Sequence, residues 1–242
     1  MKKTILLLLI IVSFYSLKAQ ESSESSSPGK KIFIGAKIGY GITNYESTLK
    51  SEKDFAKMAY DNLSYGILAG YKLNSLISFQ LEGNFAQYGA RKIIPTYIYS
   101  ANSPLLAPIG TTSTVDHVDM DIFSIDVPVT IKLSLKEGDF SPYIYAGVNY
   151  GINVLGRSYI VRKITYNEVS DYRTSTDDIT ARIVSNEFAP IVGCGAIVKM
   201  FKLSFFGDIR YKYGFTNLSN VDNGLGFTNS ALWVSAGVLL DL

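Results

Sequence analysis

The sequence predicts an all-β fold, an eight-stranded antiparallel up-and-down transmembrane β-barrel with long extracellular loops. Three observations lead to this prediction. Apolar and polar residues alternate with period two in eight segments, the connections alternate between short and long, and small or charged residues fill the positions opposite the apolar ones. Twenty glycines and seventeen tyrosines beside one Trp and one His fit a β-rich chain with crowded positions and amphipathic aromatic residues.

Three parts divide the 242 residues. Residues 1–19 are predicted to be a signal peptide, because Lys2 and Lys3 precede the apolar run 5–12 and Ala19 offers a small residue for cleavage. The apolar run is too short to cross a bilayer as a helix, so an uncleaved anchor is the weaker alternative. Residues 20–30 form a flexible Ser-rich periplasmic leader, and residues 31–242 form the outer-membrane barrel.

Eight segments carry the alternation. They are 31–43, 62–73, 76–88, 123–133, 144–152, 188–198, 203–213 and 232–242. The sixth is the weakest, because Gly193, Cys194 and Gly195 blur its pattern. Each segment is long enough to cross the hydrocarbon layer at a tilt.

The lengths of the connections place the barrel in a membrane. Tight turns are expected at 73–75, 136–141 and 199–202, and long loops at 44–61, 90–117, 155–185 and 216–229. All long loops then lie at one end, as in outer-membrane barrels, where they are extracellular and both termini are periplasmic. Ten strands remain an alternative, because Tyr159, Val161 and Ile164 are β-prone and a hairpin is possible at 158–168.

The two faces of the segments favour a membrane barrel over a soluble one. The interior of an eight-stranded barrel has little room, so it suits Gly, Ser, Asn and a few charged residues. The large apolar residues of every strand are therefore expected to face lipid. Closure of the barrel also removes the unpaired edges that lipid does not tolerate. The first expected partner is outer-membrane lipid of a Gram-negative bacterium.

Four segments resemble the outer-membrane β-barrel domain of Bacteroidetes, the PorT-like porin family. They are 66–92, 125–133, 142–151 and 208–218, and the resemblance extends over nearly all of residues 31–242. The Val-Pro-Val strand at 127–129 and the Arg-Tyr-Lys-Tyr-Gly stretch at 210–214 are its most specific parts. Leu242 departs from the aromatic residue that commonly ends such barrels. The resemblance implies fold and location, whereas a shared barrel does not carry over the role of the name-giving member in a secretion machine.

Charged residues on the predicted inward face form the candidate site. This lumen charge cluster consists of Lys37, Glu82, Asp126, Lys132, Asp208, Arg210 and Lys212. Charges of both signs in a narrow lumen are expected to pair, because an unpaired buried charge costs several kcal/mol. Glu82 with Arg210 is the preferred pair. A narrow or gated solute path is the functional alternative to a structural plug.

Other candidate chemistry is sparse. His117 lies in an acidic stretch with Asp116, Asp119 and Asp121 at the predicted rim, where a general base or a divalent cation site is conceivable. We expect a solvated strand start instead, with no catalytic residue, metal or cofactor. Cys194 is expected to be a small apolar filler on the lipid side. The net charge of +2 without a dense basic patch argues against nucleic acid as a partner.

The sequence therefore predicts a structural or interaction role, as an accessory subunit of an envelope complex. Other outer-membrane or periplasmic proteins are the expected partners. The loops 90–117 and 155–185 are candidate sites of protein or polysaccharide contact, because loops commonly carry function, and mobile polar loops without a partner are the alternative. A narrow channel for ions or small solutes is the alternative, and a rim enzyme that uses His117 is a remote one.

Overall fold

The computed structural model describes residues 31–47, 57–93, 112–136, 138–166, 169–200, 202–219 and 227–242. The predicted signal peptide (1–19) and leader (20–30) lie outside the described residues, as do parts of the loops predicted at 44–61, 90–117 and 216–229. Within the described ranges, no helix is long and apolar enough to cross a membrane.

Nine β-strands make up the described chain. They are β1 (Ile32–Ser47), β2 (Lys57–Lys72), β3 (Ile77–Ile93), β4 (Thr112–Ser134), β5 (Phe140–Tyr166), β6 (Val169–Asp178), β7 (Asn186–Met200), β8 (Leu203–Tyr213) and β9 (Phe227–Asp241). One short 3-10 helix, Thr180–Arg182, follows β6. Each segment predicted from the alternation lies in one of these strands, apart from one residue at the end of four segments (31, 73, 76 and 242). The three predicted tight turns join β2 to β3, β4 to β5 and β7 to β8.

Eight of the strands close a ring. Their order is β4-β3-β2-β1-β9-β8-β7-β5, and β4 pairs with β5 to complete the circle. Every neighbouring pair is antiparallel, including first strand with last, where Ile38 lies opposite Ala236. The predicted eight-stranded antiparallel up-and-down barrel is confirmed.

Large apolar side chains cover the outer surface of the ring. Ile67 is 70% exposed, Val148 57% and Val234 56%, although each lies in the middle of a strand. Exposed aromatic residues such as Tyr40 and Tyr211 lie in the same outward rows. Such a belt suits contact with hydrocarbon, as predicted from the alternation.

Two apolar layers lie inside the barrel, a feature that the sequence analysis did not predict. The mouth layer, at the end with the long connections, contains Tyr45, Ala86, Tyr88, Ile122, Ile183, Leu218, Ala231 and Trp233. The base layer, at the end with the short turns, contains Phe33, Leu68, Phe206 and Leu239. Between these layers the inward face carries most of the buried charged residues.

Glycines make room for the aromatic residues of both layers. A Cβ at Gly41 would lie 2.3 Å from the Trp233 ring, and a Cβ at Gly70 would lie 2.0 Å from the Phe33 ring. Real Cβ atoms do not approach other atoms so closely, so the small residues on the inward face permit the layers to pack.

The segment 155–185, predicted as a long loop, contains a hairpin. β5 has 27 residues and continues past the apolar belt. β6 pairs with it from Arg157, which lies opposite Asp178, to Tyr166, which lies opposite Val169. β4 also continues past the belt and pairs with this part of β5, from Thr112 opposite Thr165 to Ile122 opposite Gly156. We call residues 112–122, 156–166 and 169–178 the extension. The hairpin considered in the ten-strand alternative is present, but β6 lies outside the ring, which keeps eight strands.

Candidate functional site: a charged lumen and a projecting sheet

All seven residues of the lumen charge cluster lie inside the barrel and are buried. Lys37 lies on β1, Glu82 on β3, Asp126 and Lys132 on β4, and Asp208, Arg210 and Lys212 on β8. Their relative exposure is 8% or less. Strand alternation directs them inward, because the neighbouring residues of each strand belong to the outer belt.

Glu82 is the centre of the first group of lumen contacts. Arg210 donates two hydrogen bonds to it, from Nη2 to Oε1 at 2.5 Å and from Nη1 to Oε2 at 3.0 Å. The Lys37 ammonium lies 2.5 Å from Oε2 on the other side. Gln80 and Asn84 donate side-chain hydrogen bonds to the same carboxylate. The pair that the sequence favours, Glu82 with Arg210, is thus in direct contact within a larger network.

Lys212 is the centre of the second group. Its ammonium lies 2.9 Å from Glu187 Oε2 and 3.8 Å from Asp126 Oδ2, and 4.0 Å from the centre of the Tyr88 ring. Tyr88 donates its hydroxyl hydrogen bond to Asp126. These contacts join the second group to the mouth layer, because Tyr88 belongs to both.

Glu187 was missed by the sequence analysis. It lies on β7 with no exposed surface and is the closest acidic partner of Lys212. The predicted strand began one residue later, at 188, so Glu187 fell outside it. Glu187 begins the inward row of β7, which continues with Ala189 and Ile191. The sequence contained one indication of it, because the seven predicted lumen charges comprise four cations and only three carboxylates, so one further carboxylate was needed to balance them.

Lys132 is held differently from the other lumen cations. Its ammonium lies 4.5 Å from the centre of the Tyr143 ring and 5.5 Å from that of Phe206 in the base layer. Tyr143 in turn donates a 3.5 Å hydrogen bond to Asp208. Cation–π attraction, which is stronger away from water, stabilises this ammonium at the base of the polar layer.

The polar layer has little free volume. A cavity of about 20 Å³ lies within it, which is room for about one water molecule. It is lined by Lys37, Asn84, Tyr88, Asn149, Lys212 and Trp233 among others. With Glu187 included, four cations and four carboxylates fill the layer, so their formal charges cancel. Loss of one partner would leave an uncompensated buried charge, which is strongly destabilising, so the paired residues depend on one another.

The rim residues form a separate group on the extension. His117 Nδ1 lies 2.7 Å from Asp116 Oδ2, and its Nε2 lies 3.8 Å from Asp119 Oδ2. Asp119 accepts two hydrogen bonds from Arg91, at 2.7 and 2.8 Å, which raise the pKa of the Arg91 guanidinium. Burial raises the pKa of Asp121. In the described part of the chain, no group of three or more His, Cys, Asp or Glu is arranged to hold a metal ion.

The extension projects the sheet beyond the belt. The outward row of large exposed apolar residues ends at Ile125 on β4 and Val154 on β5, whereas both strands continue for at least a further ten residues. All ten residues of β6 are exposed. β6 is therefore the most exposed of the described strands.

Solved structures of outer-membrane barrels are similar to this chain. Neisserial surface protein A is 14% identical, with a TM-score of 0.44, and the match covers 86% of this chain and 97% of that one. The outer membrane protein OprG from Pseudomonas aeruginosa is 10% identical, with a TM-score of 0.47 and coverages of 88% and 96%. Ail of Yersinia pestis is 15% identical, with a TM-score of 0.39 and coverages of 87% and 99%. No curated protein matches the sequence.

A family model matches most of the chain. It is the model described as outer membrane protein beta-barrel domain, and it matches residues 18–220. That range contains β1 to β8, and therefore seven strands of the ring and the whole extension. The chain belongs to the outer-membrane β-barrel domain family.

Proposed function

We propose that the protein is a structural or interaction subunit of an envelope complex. The barrel anchors the chain in the outer membrane, and the extension carries the surface that contacts another component. One observation carries this proposal: β4 and β5 continue beyond the apolar belt and support β6, all ten residues of which are exposed. A strand presented in this way is available for contact rather than for stabilising the barrel.

The lumen supports this role over a channel. Two apolar layers lie above and below the paired charges, and the cavity between them has room for about one water molecule. A conducting path requires continuous water or a row of sites that an ion enters and leaves. Most charges of this lumen instead contact one another, as Arg210 contacts Glu82, whereas the Lys132 ammonium lies against the Tyr143 ring.

Catalysis at the rim has weaker support. His117 contacts Asp116 and Asp119, and the latter is engaged by Arg91. A general base requires a nucleophile or a positioned water as well as an orienting carboxylate. The contacts described for His117 supply carboxylates alone. We therefore assign no catalytic role to the protein.

We also propose the orientation and lineage that the sequence favours. Both termini are placed in the periplasm, because β1 begins and β9 ends at the end of the barrel that carries the short turns. The extension is then extracellular. The resemblance to the PorT-like family of Bacteroidetes is part of the same proposal.

A pull-down tests the proposed function. The tagged protein is extracted from its native outer membrane in mild detergent, and co-purifying proteins are identified by mass spectrometry. The matched control replaces residues 157–178 with a four-residue Asn/Gly turn and keeps the ring strands, and its folding is checked by heat-modifiable mobility. We expect a stoichiometric complex with the native chain that is lost from the control. A clean monomer from the native chain would overturn the proposal.

A further inference from the structure

β6 has one regular edge that no described strand covers. Its other edge pairs with β5 through ten consecutive residue pairs without a register shift. In an antiparallel sheet, alternate residues direct their N–H and C=O groups to opposite edges, so about five donors and five acceptors of β6 point away from β5. The order of the sheet places β6 last, after β5.

Charged side chains are the only one of the usual protections against strand addition that this edge has. Exposed edges are commonly short, bulged, or interrupted by Pro or Lys. β6 has ten residues, VSDYRTSTDD, with no Pro, Gly or Lys, and Ser and Thr make up four of them. The edge is therefore able to accept a further strand along its whole length.

The charges of β6 define the kind of strand that fits. β6 contains three acidic residues, Asp171, Asp177 and Asp178, and one basic residue, Arg173, so its net charge is −2. Asp177 and Asp178 lie at the end of β6 nearest the barrel, whereas Val169 and Tyr172 lie toward the tip. A complementary strand has basic residues near the membrane and β-branched or aromatic residues toward the tip, because opposite charges on adjacent strands attract.

A second copy of the chain in the same membrane does not meet this requirement. Two identical antiparallel strands are related by a two-fold axis perpendicular to their sheet. The extension continues the barrel wall, so such an axis lies in the membrane plane and would turn the second barrel upside down. Two copies of β6 would also bring six Asp side chains against two Arg side chains.

We propose that β6 is a docking edge for an extended basic segment of another envelope protein, which adds one antiparallel strand to the extension. This inference rests on the proposed function and names the class of partner. Main-chain hydrogen bonds supply the affinity, and the acidic end near the barrel sets the direction and selects basic residues. The rim charges around Arg91 and Asp119 belong to β3 and β4 and take no part in the docking.

A defined peptide serves as the probe. The full-length protein in detergent is titrated with the labelled ten-residue peptide Lys-Thr-Lys-Thr-Val-Thr-Tyr-Thr-Val-Thr, and anisotropy and amide hydrogen exchange of β6 are measured. Two counterparts carry Glu in place of Lys, or N-methyl groups on alternate backbone nitrogens. We expect both counterparts to bind at least tenfold more weakly, and the first peptide to slow exchange in β6. Equal binding of the three peptides, or unchanged exchange in β6, would overturn the inference.

Two variants separate the charge of β6 from the charge of the whole chain. Asp171→Lys with Asp177→Lys reverses the charge of β6, and we expect it to reverse the preference between the Lys and Glu peptides. Asp178 is retained because it accepts a hydrogen bond from the Thr180 amide. Asp61→Lys with Asp139→Lys changes the net charge equally at exposed positions outside β6 and should keep the native preference.

The same variants distinguish this inference from the proposed function. A native complex that survives reversal of the β6 charges would overturn the docking edge and leave the interaction role intact. A native chain without partners would overturn the role itself. A detergent-soluble dimer that forms through β6 would overturn the choice of a foreign partner.

Discussion

Arg210 and Glu82 are 128 residues apart in the sequence and meet inside the barrel through two side-chain hydrogen bonds, at 2.5 and 3.0 Å. They lie on β8 and β3, which are separated in the ring by β9, β1 and β2. The pair therefore spans the lumen and connects opposite walls. Because Lys37 contacts the same carboxylate, one acidic residue holds two buried cations.

Glu82→Gln should destabilise the barrel strongly. The substitution leaves Arg210 and Lys37 buried without the anion that they share, and breaking a buried pair in this way costs about 3–5 kcal/mol. The measurement is urea unfolding in lipid vesicles, followed by Trp233 fluorescence. The matched control is Lys72→Met, which removes the half-exposed ion pair with Asp241 and should cost about 0–1 kcal/mol. Similar losses for the two variants would contradict the central role of Glu82.

Removal of one residue from each apolar layer should open the lumen. Trp233 belongs to the mouth layer and Phe206 to the base layer. We expect the native chain to give no steady conductance in planar bilayers. Trp233→Ala combined with Phe206→Ala should give measurable ion flow, because water then reaches the charged layer from both ends and weakens its ion pairs. Either single substitution leaves the other layer intact and should conduct little. A native chain that conducts steadily would show that the two layers do not close the path.

Cys194 reports on the membrane-facing surface. It is the only Cys, and it is exposed on the outward row of β7. A nitroxide attached there should be more accessible to oxygen, which dissolves in lipid, than to a water-soluble nickel chelate in electron paramagnetic resonance. The control carries Cys194→Ser with Thr174→Cys, which places the label on β6 and should reverse the order. Equal accessibility at both positions would contradict the proposed limit of the belt.

The turn after β6 should respond to acid. Asp178 accepts hydrogen bonds from Thr180, which lower the pKa of its carboxyl below the ordinary value of 3.8. A lowered pKa means that the turn gains stability from the charged carboxylate above pH 3.8 and loses it as the pH falls through the folded pKa. The rate of amide hydrogen exchange at Thr180, corrected for the intrinsic exchange rate, should increase as the pH falls through the folded pKa of Asp178. Asp178→Asn should weaken this response, whereas Asp171→Asn should preserve it.

Strand alternation predicted the fold because a row of large apolar residues faces outward in every strand of the ring, although other apolar residues such as Phe33 and Trp233 lie inside. The same alternation predicted the positions of Lys37 and Glu82, since inward direction depends on sequence parity alone. It did not predict Glu187, because the predicted segment began at 188 whereas β7 begins at Asn186. The contacts of Lys132 with aromatic rings were also missed, because they depend on the stagger between distant strands, which a single sequence does not contain.

The hairpin was considered from β-prone residues, but its place outside the ring was not predicted. Beyond the belt every residue of β6 is exposed and most residues of β5 are partly exposed, so the strict apolar alternation ends although the strands continue. Val161 and Ile164 are the residues that suggested a hairpin, and both lie in β5. The sequence predicted a long loop there because the alternation of apolar and polar residues stops. Backbone pairing with β4 maintains the strand in this part of the chain.

The unbroken course of β5 has a mechanical consequence. Its 27 residues correspond to a path of ~90 Å at ~3.4 Å per residue, from the short turns to the tip of the hairpin. No loop separates the part in the membrane from the part outside it, although the register between β4 and β5 shifts at Phe123/Ser124. A lateral load on the tip is therefore transmitted to the barrel wall. Tension applied by a bound neighbour is thereby resisted by the whole ladder between β5, β4 and β7 rather than absorbed by a hinge.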